Sequence, residues 1–428
     1  MILTKYIAIL GAGSIGQLLA HKLTDASVDC QLIVRDIDNY SQSKWILHSN
    51  EADIEHKLLL SQIDATDRIT TLFICVKAPQ LESALESIKH RLDHNSQLVF
   101  FQNGMGHERL AHRYVEAEQI FFASNTHGAY RAISDNQQKI FFAGKGAIDF
   151  GSYANLSQPE WFHDRLQQAL AAKWSDDIEN VLWRKLLVNA VINPLTAIHQ
   201  CKNGQLLDED KKLSLLSLIE ENKQFAQSIH LPFADQLKDI VLSVIEKTAN
   251  NYSSMFQDTQ ANKITEINAI NGFLLDKMQA NSFHAPHNWN LWSKFHIQFP
   301  PLKQIALAKA QTFDELQYYV TQQKGTERPF TGQYYQHQEQ GSYLCVCCDN
   351  LLFTEEEKFD SGCGWPSFDR ARNHKAIAYK MDYSHNMQRI EILCAQCSAH
   401  LGHVFDDGPT DTGQRFCVNS VSLNFKKH

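Results

Sequence analysis

Seven of the ten cysteines fall between Cys345 and Cys417, and their spacing separates metal chemistry from thiol chemistry. Cys345-x-x-Cys348 and Cys394-x-x-Cys397 have the pattern of two knuckles around one ion. Four thiolates complete a zinc tetrahedron and leave no open position, so zinc held there is structural. Cys347, inside "CVCC", leaves a different first pair open, and iron remains an alternative to zinc. Cys363 and Cys417 stand outside both pairs. Cys417, in the β-like run "RFCVNS" beside Asn419, is open to three readings: core thiol, metal ligand or nucleophile. The ligand reading is the weakest, because the regular pairs already supply four sulfurs. His400 and His403 are three residues apart and suit proton transfer, metal ligation or packing.

A second set of chemistry-bearing residues lies at the other end of the chain. In "YIAILGAGSIG", Gly11, Gly13 and Gly16 follow a predicted strand and precede the amphipathic "IGQLLAHKL". This is the context of a dinucleotide fingerprint: a tight turn at Gly11, backbone approach to pyrophosphate at Gly13, close helix packing at Gly16. The next strand, "CQLIVRD", ends on Arg35 and Asp36. Arg35 suits the 2′-phosphate of NADP, Asp36 the ribose hydroxyl of NAD, and NADP is the favoured reading. Lys77 and Asn103 each follow a predicted strand, where ligands of open α/β sheets bind. Lys185, Asn189 and Asn193, at i, i+4 and i+8 of an apolar helix, form a polar stripe that is either a network between helices or a cleft wall for a polar substrate.

A length of 428 residues suggests about three domains at about 150 residues each. Residues 1–170 alternate strand-like runs ("CQLIVRD", "TLFICVK", "QLVFFQN", "IFFAS") with amphipathic segments, which predicts an α/β sheet domain. Residues 171–306 show helical spacing, with Pro194, Pro232 and Pro286 punctuating possible boundaries, and predict an all-helical domain. Residues 307–428, after "FPPLKQ", begin with one possible helix, "FDELQYYVTQQ", and continue as a small, mainly-β, zinc-containing domain. A net charge of −8 argues against a nucleic-acid partner. "MILTKYIAIL" is too short to span a bilayer, and "VLWRKLLVNAVINPLTAI" carries Arg184, Lys185 and two asparagines, so no membrane is expected and the location expected is cytoplasmic.

Two resemblances sharpen this reading. "GAGSIG", "VKAPQ", "QNGMG", "WRKLLVNAVINPLTA", "SSMFQD" and "TEINAINGFLL" together resemble ketopantoate reductase (2-dehydropantoate 2-reductase) over about residues 5–300. The resemblance implies a Rossmann domain binding NADPH and makes Lys185 the general acid that protonates a ketone oxygen. It implies that Glu266 orients that lysine, that Asn103, Asn189, Asn193 and Ser254 position ketopantoate, and that Lys77 lies near the nicotinamide. The stretch "SFHAPHNWNLWSKFHIQFPP" departs from the family, which leaves another 2-oxo acid, or a non-catalytic NADP-binding domain, as the alternative.

From about Phe313 to the end, "YYVTQQKGTERPFTG", "KFDSGCGWPSF", "SAHLGHVFDDGP" and "RFCVNS" resemble the B-type methionine sulfoxide reductase, which reduces methionine (R)-sulfoxide, free or in proteins. This resemblance implies that Cys417 attacks the sulfoxide sulfur and that Cys363 resolves the resulting sulfenic acid as a disulfide, which thioredoxin reduces from outside. It implies that Trp365 packs on the methyl group while His400, His403 and Asn419 bind and polarise the sulfoxide. Two independent reductase activities on one chain are expected, since no flavin motif or relay dithiol would convert hydride into thiol exchange. A zinc-ribbon interaction protein with degenerate catalytic parts is the competing class.

Overall fold

The computed structural model describes residues 6–35, 37, 44–49, 52–134, 137–154, 157–261, 263–299, 313–384 and 387–428. Asp36 and the predicted boundary near residue 307 lie outside them. The chain divides into two compact units, 1–189 with 230–235, and 190–229 with 236–428.

The first unit is built on an eight-stranded sheet of β1 (Ile7–Leu10), β2 (Cys30–Val34), β5 (Leu60–Gln62), β6 (Thr71–Ile74), β7 (Gln97–Phe100), β8 (Ile120–Asn125), β11 (Ile148–Gly151) and β12 (Ala172–Trp174). Its order is β5-β2-β1-β6-β7-β8-β11-β12, parallel throughout except for β8 against β11. The central strands are apolar on both faces because helices cover both faces of a parallel sheet. Those helices include α1 (Ser14–Asp25), α2 (Leu81–Ile88), α3 (Glu108–Ala111) and α4 (Asp164–Leu170). Strand order reverses at β1, between β2 and β6, which makes the crevice there a ligand position for open α/β sheets. The five strands expected from the sequence all form. A second sheet, ordered β4-β3-β10-β9, was not foreseen: β3 (Trp45–Ser49), β4 (Ala52–His56), β9 (Gly128–Ser134) and β10 (Gln137–Gly144) interleave polar with apolar residues. Strand β12 pairs with β11, so the sheet runs past residue 170, and we place the proposed domain boundary between Trp174 and Ile178.

Helix α5 (Ile178–His199) is long and apolar enough to cross a membrane by length and composition, yet it is mostly buried inside the protein. Pro194 sits within it, correcting the expectation of a boundary there. A proline cannot donate to the carbonyl four residues back. Here Asn271 Nδ2 donates to that carbonyl, Ala190 O, at 2.8 Å, so the helix continues. Helices α6 (Glu209–Ser228), α7 (Leu237–Lys247), α8 (Ser254–Gln260), α9 (Phe273–Ala280) and α10 (Pro286–Gln298) follow. Pro286 opens α10, where its missing N–H costs nothing.

Helix α11 (Glu315–Gln323), capped by Asp314 accepting from Gln317 N, leads into the mainly-β region. Its strands are β13 (Gly341–Cys345), β14 (Leu351–Thr354), β15 (Lys358–Phe359), β16 (Ser367–Phe368), β17 (Ile377–Asp382), β18 (Arg389–Cys394), β19 (His400–Phe405), β20 (Arg415–Val418) and β21 (Leu423–Lys427). They make a three-stranded sheet, β14-β13-β21, and a six-stranded one, β15-β16-β20-β19-β18-β17, with every pair antiparallel.

Candidate active sites and metal centre

In the first unit the loop after β1 is shaped by its glycines. Gly11 has φ +112°, and a Cβ on Gly16 would stand 2.0 Å from Gly11 O, so neither position admits a side chain. Gly13, at the N-cap of α1, has open space above it and no side-chain cap on the helix. That leaves helix N–H groups facing a position suited to an anion. Lys77 follows β6 and Asn103 follows β7, both strands parallel to β1. The ammonium of Lys185 reaches the end of the next strand, β8, donating to Asn125 O at 2.8 Å. Gly11, Lys77, Asn103 and the Lys185 head therefore line one carboxyl edge of the sheet. Arg35 is exposed just beyond β2. Asn189 is one turn along α5 from Lys185.

Asn193, Glu266 and Ser254 belong to the other unit. Asn193 and Glu266 are buried, and Ser254 is exposed in the first turn of α8. The buried hydroxyl beside it is that of Ser253, which caps α8 by accepting from Phe256 N and also accepts from Thr196 Oγ1 of α5 at 2.7 Å.

In the mainly-β region Cys417 lies on β20, in register with Ser367 of β16 on one side and His403 of β19 on the other. The loop before β16 brings Cys363 Sγ to 3.7 Å from Cys417 Sγ, with Ser361 Oγ 3.0 Å from Cys363 Sγ. The two sulfurs titrate as a pair. Cys363 is held well below an ordinary thiol, first by donation from Cys417 and then by Ser361 and Ser367. Cys417 is pushed up by Cys363 and by burial, while Arg415 pulls it down. In this geometry Cys363 is the more easily ionised of the two sulfurs, and Cys417 is the thiol that donates to it. Arg415 is fixed by both oxygens of Asp407, each at 2.8 Å.

His400 is buried; its Nδ1 lies 2.8 Å from Glu391 Oε1, and its Nε2 is a buried nitrogen with no hydrogen-bond partner among the described residues. Burial alone would raise the Glu391 carboxyl, but His400 and Lys324 together bring it below its usual value. His403 Nε2 lies 2.8 Å from Asp382 Oδ2, and burial lowers its pKa. Trp365 Nε1 donates to Glu327 O at 3.1 Å. Asn419 Oδ1 accepts from Glu327 N while its Nδ2 donates to Leu401 O, so its amide braces the Glu327 loop. The buried Glu327 carboxylate in turn accepts from Ser420 N and Val421 N. Sequence reasoning missed Glu327, Asp382, Glu391 and Arg415. Of these Glu391 carried a signal: a carboxylate within the apolar "RIEILC" needs a buried partner. "GTERPF" shows no comparable contrast.

The sulfurs of Cys345, Cys348, Cys394 and Cys397 all lie within 4.8 Å of one another, with Cys345–Cys397 and Cys348–Cys394 each at 3.6 Å. Metal–sulfur bonds of about 2.3 Å in a tetrahedron give edges of about 3.8 Å, so the four fit one ion. Cys347 is buried outside this group of four and accepts from Gln322 Nε2 at 3.8 Å.

Fold and sites define a two-part oxidoreductase: a dinucleotide-type α/β domain with a helical domain, then a dithiol domain built around a four-cysteine cluster. The family models agree. "Ketopantoate reductase PanE/ApbA" matches residues 7–155, its C-terminal counterpart 177–298, and "SelR domain" 313–427. The chain belongs to these families as a fusion, ketopantoate reductase domains followed by a B-type methionine sulfoxide reductase domain. The peptide methionine sulfoxide reductase MsrB of Hahella chejuensis is 62% identical over 117 residues, 27% of this chain and 84% of that protein. The MsrB of Chromohalobacter salexigens is 61% identical over 110 residues, 26% of this chain and 83% of that protein. Among solved structures, D-mandelate dehydrogenase with NADH and anilino(oxo)acetate is 22% identical with TM-score 0.61, over 68% of this chain and 97% of that one. A Bacillus subtilis protein described as "Probable 2-dehydropantoate 2-reductase" is 27% identical with TM-score 0.56, over 68% and 98%.

Proposed function

We propose that the chain carries two reductase activities: NADPH-dependent reduction of 2-dehydropantoate to pantoate, and thiol-dependent reduction of methionine (R)-sulfoxide to methionine. The observation that carries the second is the 3.7 Å approach of Cys363 and Cys417 on a strand flanked by His403. The first is supported by Lys185, Lys77 and Asn103 at the carboxyl edge that also holds the glycine loop.

For the keto acid, the bound dihydronicotinamide supplies hydride to the carbonyl carbon. Lys185 gives its proton to the oxygen as negative charge develops there, and its ammonium is a stronger donor to an alkoxide than to a ketone. In the first unit Asn103 and Asn189 hold polar groups of the substrate and Arg35 favours the 2′-phosphate of NADPH; the substrate-holding roles of Asn193 and Ser254 and the lysine-orienting role of Glu266, in the other unit, rest on the resemblance to ketopantoate reductase alone. The same fold appears in D-mandelate dehydrogenase with anilino(oxo)acetate, so reduction of another 2-oxo acid, or NADP binding without catalysis, is the second reading.

For the sulfoxide, Cys417, deprotonated by passing its proton to Cys363, attacks sulfur as one imidazole, of His400 or His403, delivers one proton to the oxygen. Methionine leaves, and the oxygen remains on Cys417 as a sulfenic acid. Cys363 then attacks that sulfur, water departs, and the disulfide is reduced by two electrons from thioredoxin. Trp365, anchored to the Glu327 carbonyl, offers a face for the methyl group. Cys345, Cys348, Cys394 and Cys397 would hold zinc, which would tie together the loops at the two sheets. A cytoplasmic location, with no nucleic acid or membrane as partner, accords with the acidic charge and the buried α5.

The test is a pair of variants. Cys417→Ser is expected to abolish sulfoxide reduction. Cys363→Ser is expected to release one methionine per chain and then stall with thioredoxin, as counted by a single-turnover assay. Continued thioredoxin-driven turnover of Cys363→Ser would remove Cys363 from the mechanism.

A further inference from the structure

Among the described residues, strand β17 is an edge of the six-stranded sheet and pairs only with β18. Such an edge presents unpaired backbone groups and is ordinarily covered or blunted. Here it is covered from within the chain: α10 of the helical region packs against β17, and the turn His374–Ala376 leading into the strand packs on the π-helical segment Asn268–Gly272. Lys375 Nζ donates to Asp276 Oδ2 at 2.6 Å, with both side chains about two-thirds shielded. This pair is less screened than an exposed one.

The cover is itself firmly seated. His287 N and Asn288 N donate to the carboxylate of Glu221 on α6, and Asn288 Nδ2 donates to Glu221 and Asn222. Leu291, Trp292 and Phe295 of α10 are buried. The His- and Trp-rich stretch, which the sequence alone set apart from the ketopantoate reductase pattern, falls up to residue 298 within the matched C-terminal family model, and it is one of the parts of the helical region that meet the dithiol domain. At the far end of β17, Asp382 Oδ2 holds both His403 Nε2 and Arg389 Nη2 at 2.8 Å. The strand covered by α10 therefore orients an imidazole of the dithiol site.

We propose that α10 and Asp276 form a docking surface for the edge strand of the chain's own sulfoxide reductase domain, and that this contact supports His403 through Asp382. Asp382 is a positioning residue in this scheme, and its effect on sulfoxide turnover rests on the function proposed above. The fusion then does more than tether: one reductase supplies a wall of the other.

The test uses the full chain with Asp276→Lys, Lys375→Asp, and both together. Two quantities are read: amide hydrogen exchange in β17, and kcat and KM for free methionine sulfoxide with dithiothreitol as reductant. Each single reversal is expected to speed β17 exchange at least several-fold and to lower kcat several-fold with KM unchanged, and the double reversal to restore both. Exchange in β17 identical across all three variants and the parent would overturn the docking surface. Faster exchange with unchanged kcat would overturn the support of His403. If the parent turns over no sulfoxide, the proposed activity fails, while the exchange measurement still decides the docking.

Discussion

Asn271 and Pro194 illustrate how a single side chain decides whether an element continues. Removing the amide donor with Asn271→Leu leaves Ala190 O buried without a partner, a cost of about 1–3 kcal/mol. A urea titration of the full chain is expected to show the helical transition at lower denaturant by that amount, and an unchanged midpoint would mean that water replaces the amide. The same pair shows what the sequence could and could not reveal at this scale. Cysteine spacing and the glycine loop were legible because each chemistry demands a fixed local pattern. Pro194 was misread as a boundary because its compensation comes from a residue far along the chain. Asp382, Glu391 and Arg415 were missed for a related reason: they act through neighbours that only strand register brings close.

At the scale of elements, the parallel strands β1, β2, β6, β7 and β8 were readable as apolar runs, since burial on both faces leaves no alternation to interpret. The β4-β3-β10-β9 sheet was not, because its strands mix exposed polar residues with apolar ones. That sheet meets α1 through His21, whose Nδ1 lies 2.8 Å from His56 Nδ1. Burial, reinforced by His56, lowers the His21 pKa to about 4. The unfolded chain, with an ordinary value of about 6.5, binds this proton first as pH falls. Stability from keeping His21 neutral is therefore full above about pH 6.5 and is lost toward pH 4, on the order of 3 kcal/mol in all. His21→Leu is expected to flatten the pH dependence of the thermal midpoint of the dinucleotide-binding unit between pH 7 and 5. A slope equal to the parent's would assign the effect elsewhere.

For the whole molecule, the division into an α/β part, a helical part and a mainly-β part was visible in changes of texture along the sequence, whereas the cover that α10 gives to β17 was not. Composition marks which residues are unusual; it does not say what they face. The four-cysteine cluster joins the end of β13 to the end of β18, across the two sheets of the mainly-β region. If the cluster holds zinc as proposed, a chelator is expected to lower the thermal midpoint of that region while NAD(P)H binding, followed by fluorescence, persists, because structural zinc contributes folding free energy directly. Loss of NADPH binding in the same sample would show that the metal also holds the first unit.

The central claim is that one chain holds two separable chemistries, and the most direct measurement is a crossed assay of Lys185→Ala and Cys417→Ser. Both are to be assayed for NADPH oxidation with ketopantoate and for thioredoxin-dependent sulfoxide reduction. Lys185→Ala is predicted to lose about 100- to 10,000-fold in kcat for the keto acid and to reduce sulfoxide normally; Cys417→Ser is predicted to do the reverse. Loss of both reactions in either variant, or multiple sulfoxide turnovers driven by NADPH alone, would contradict the account.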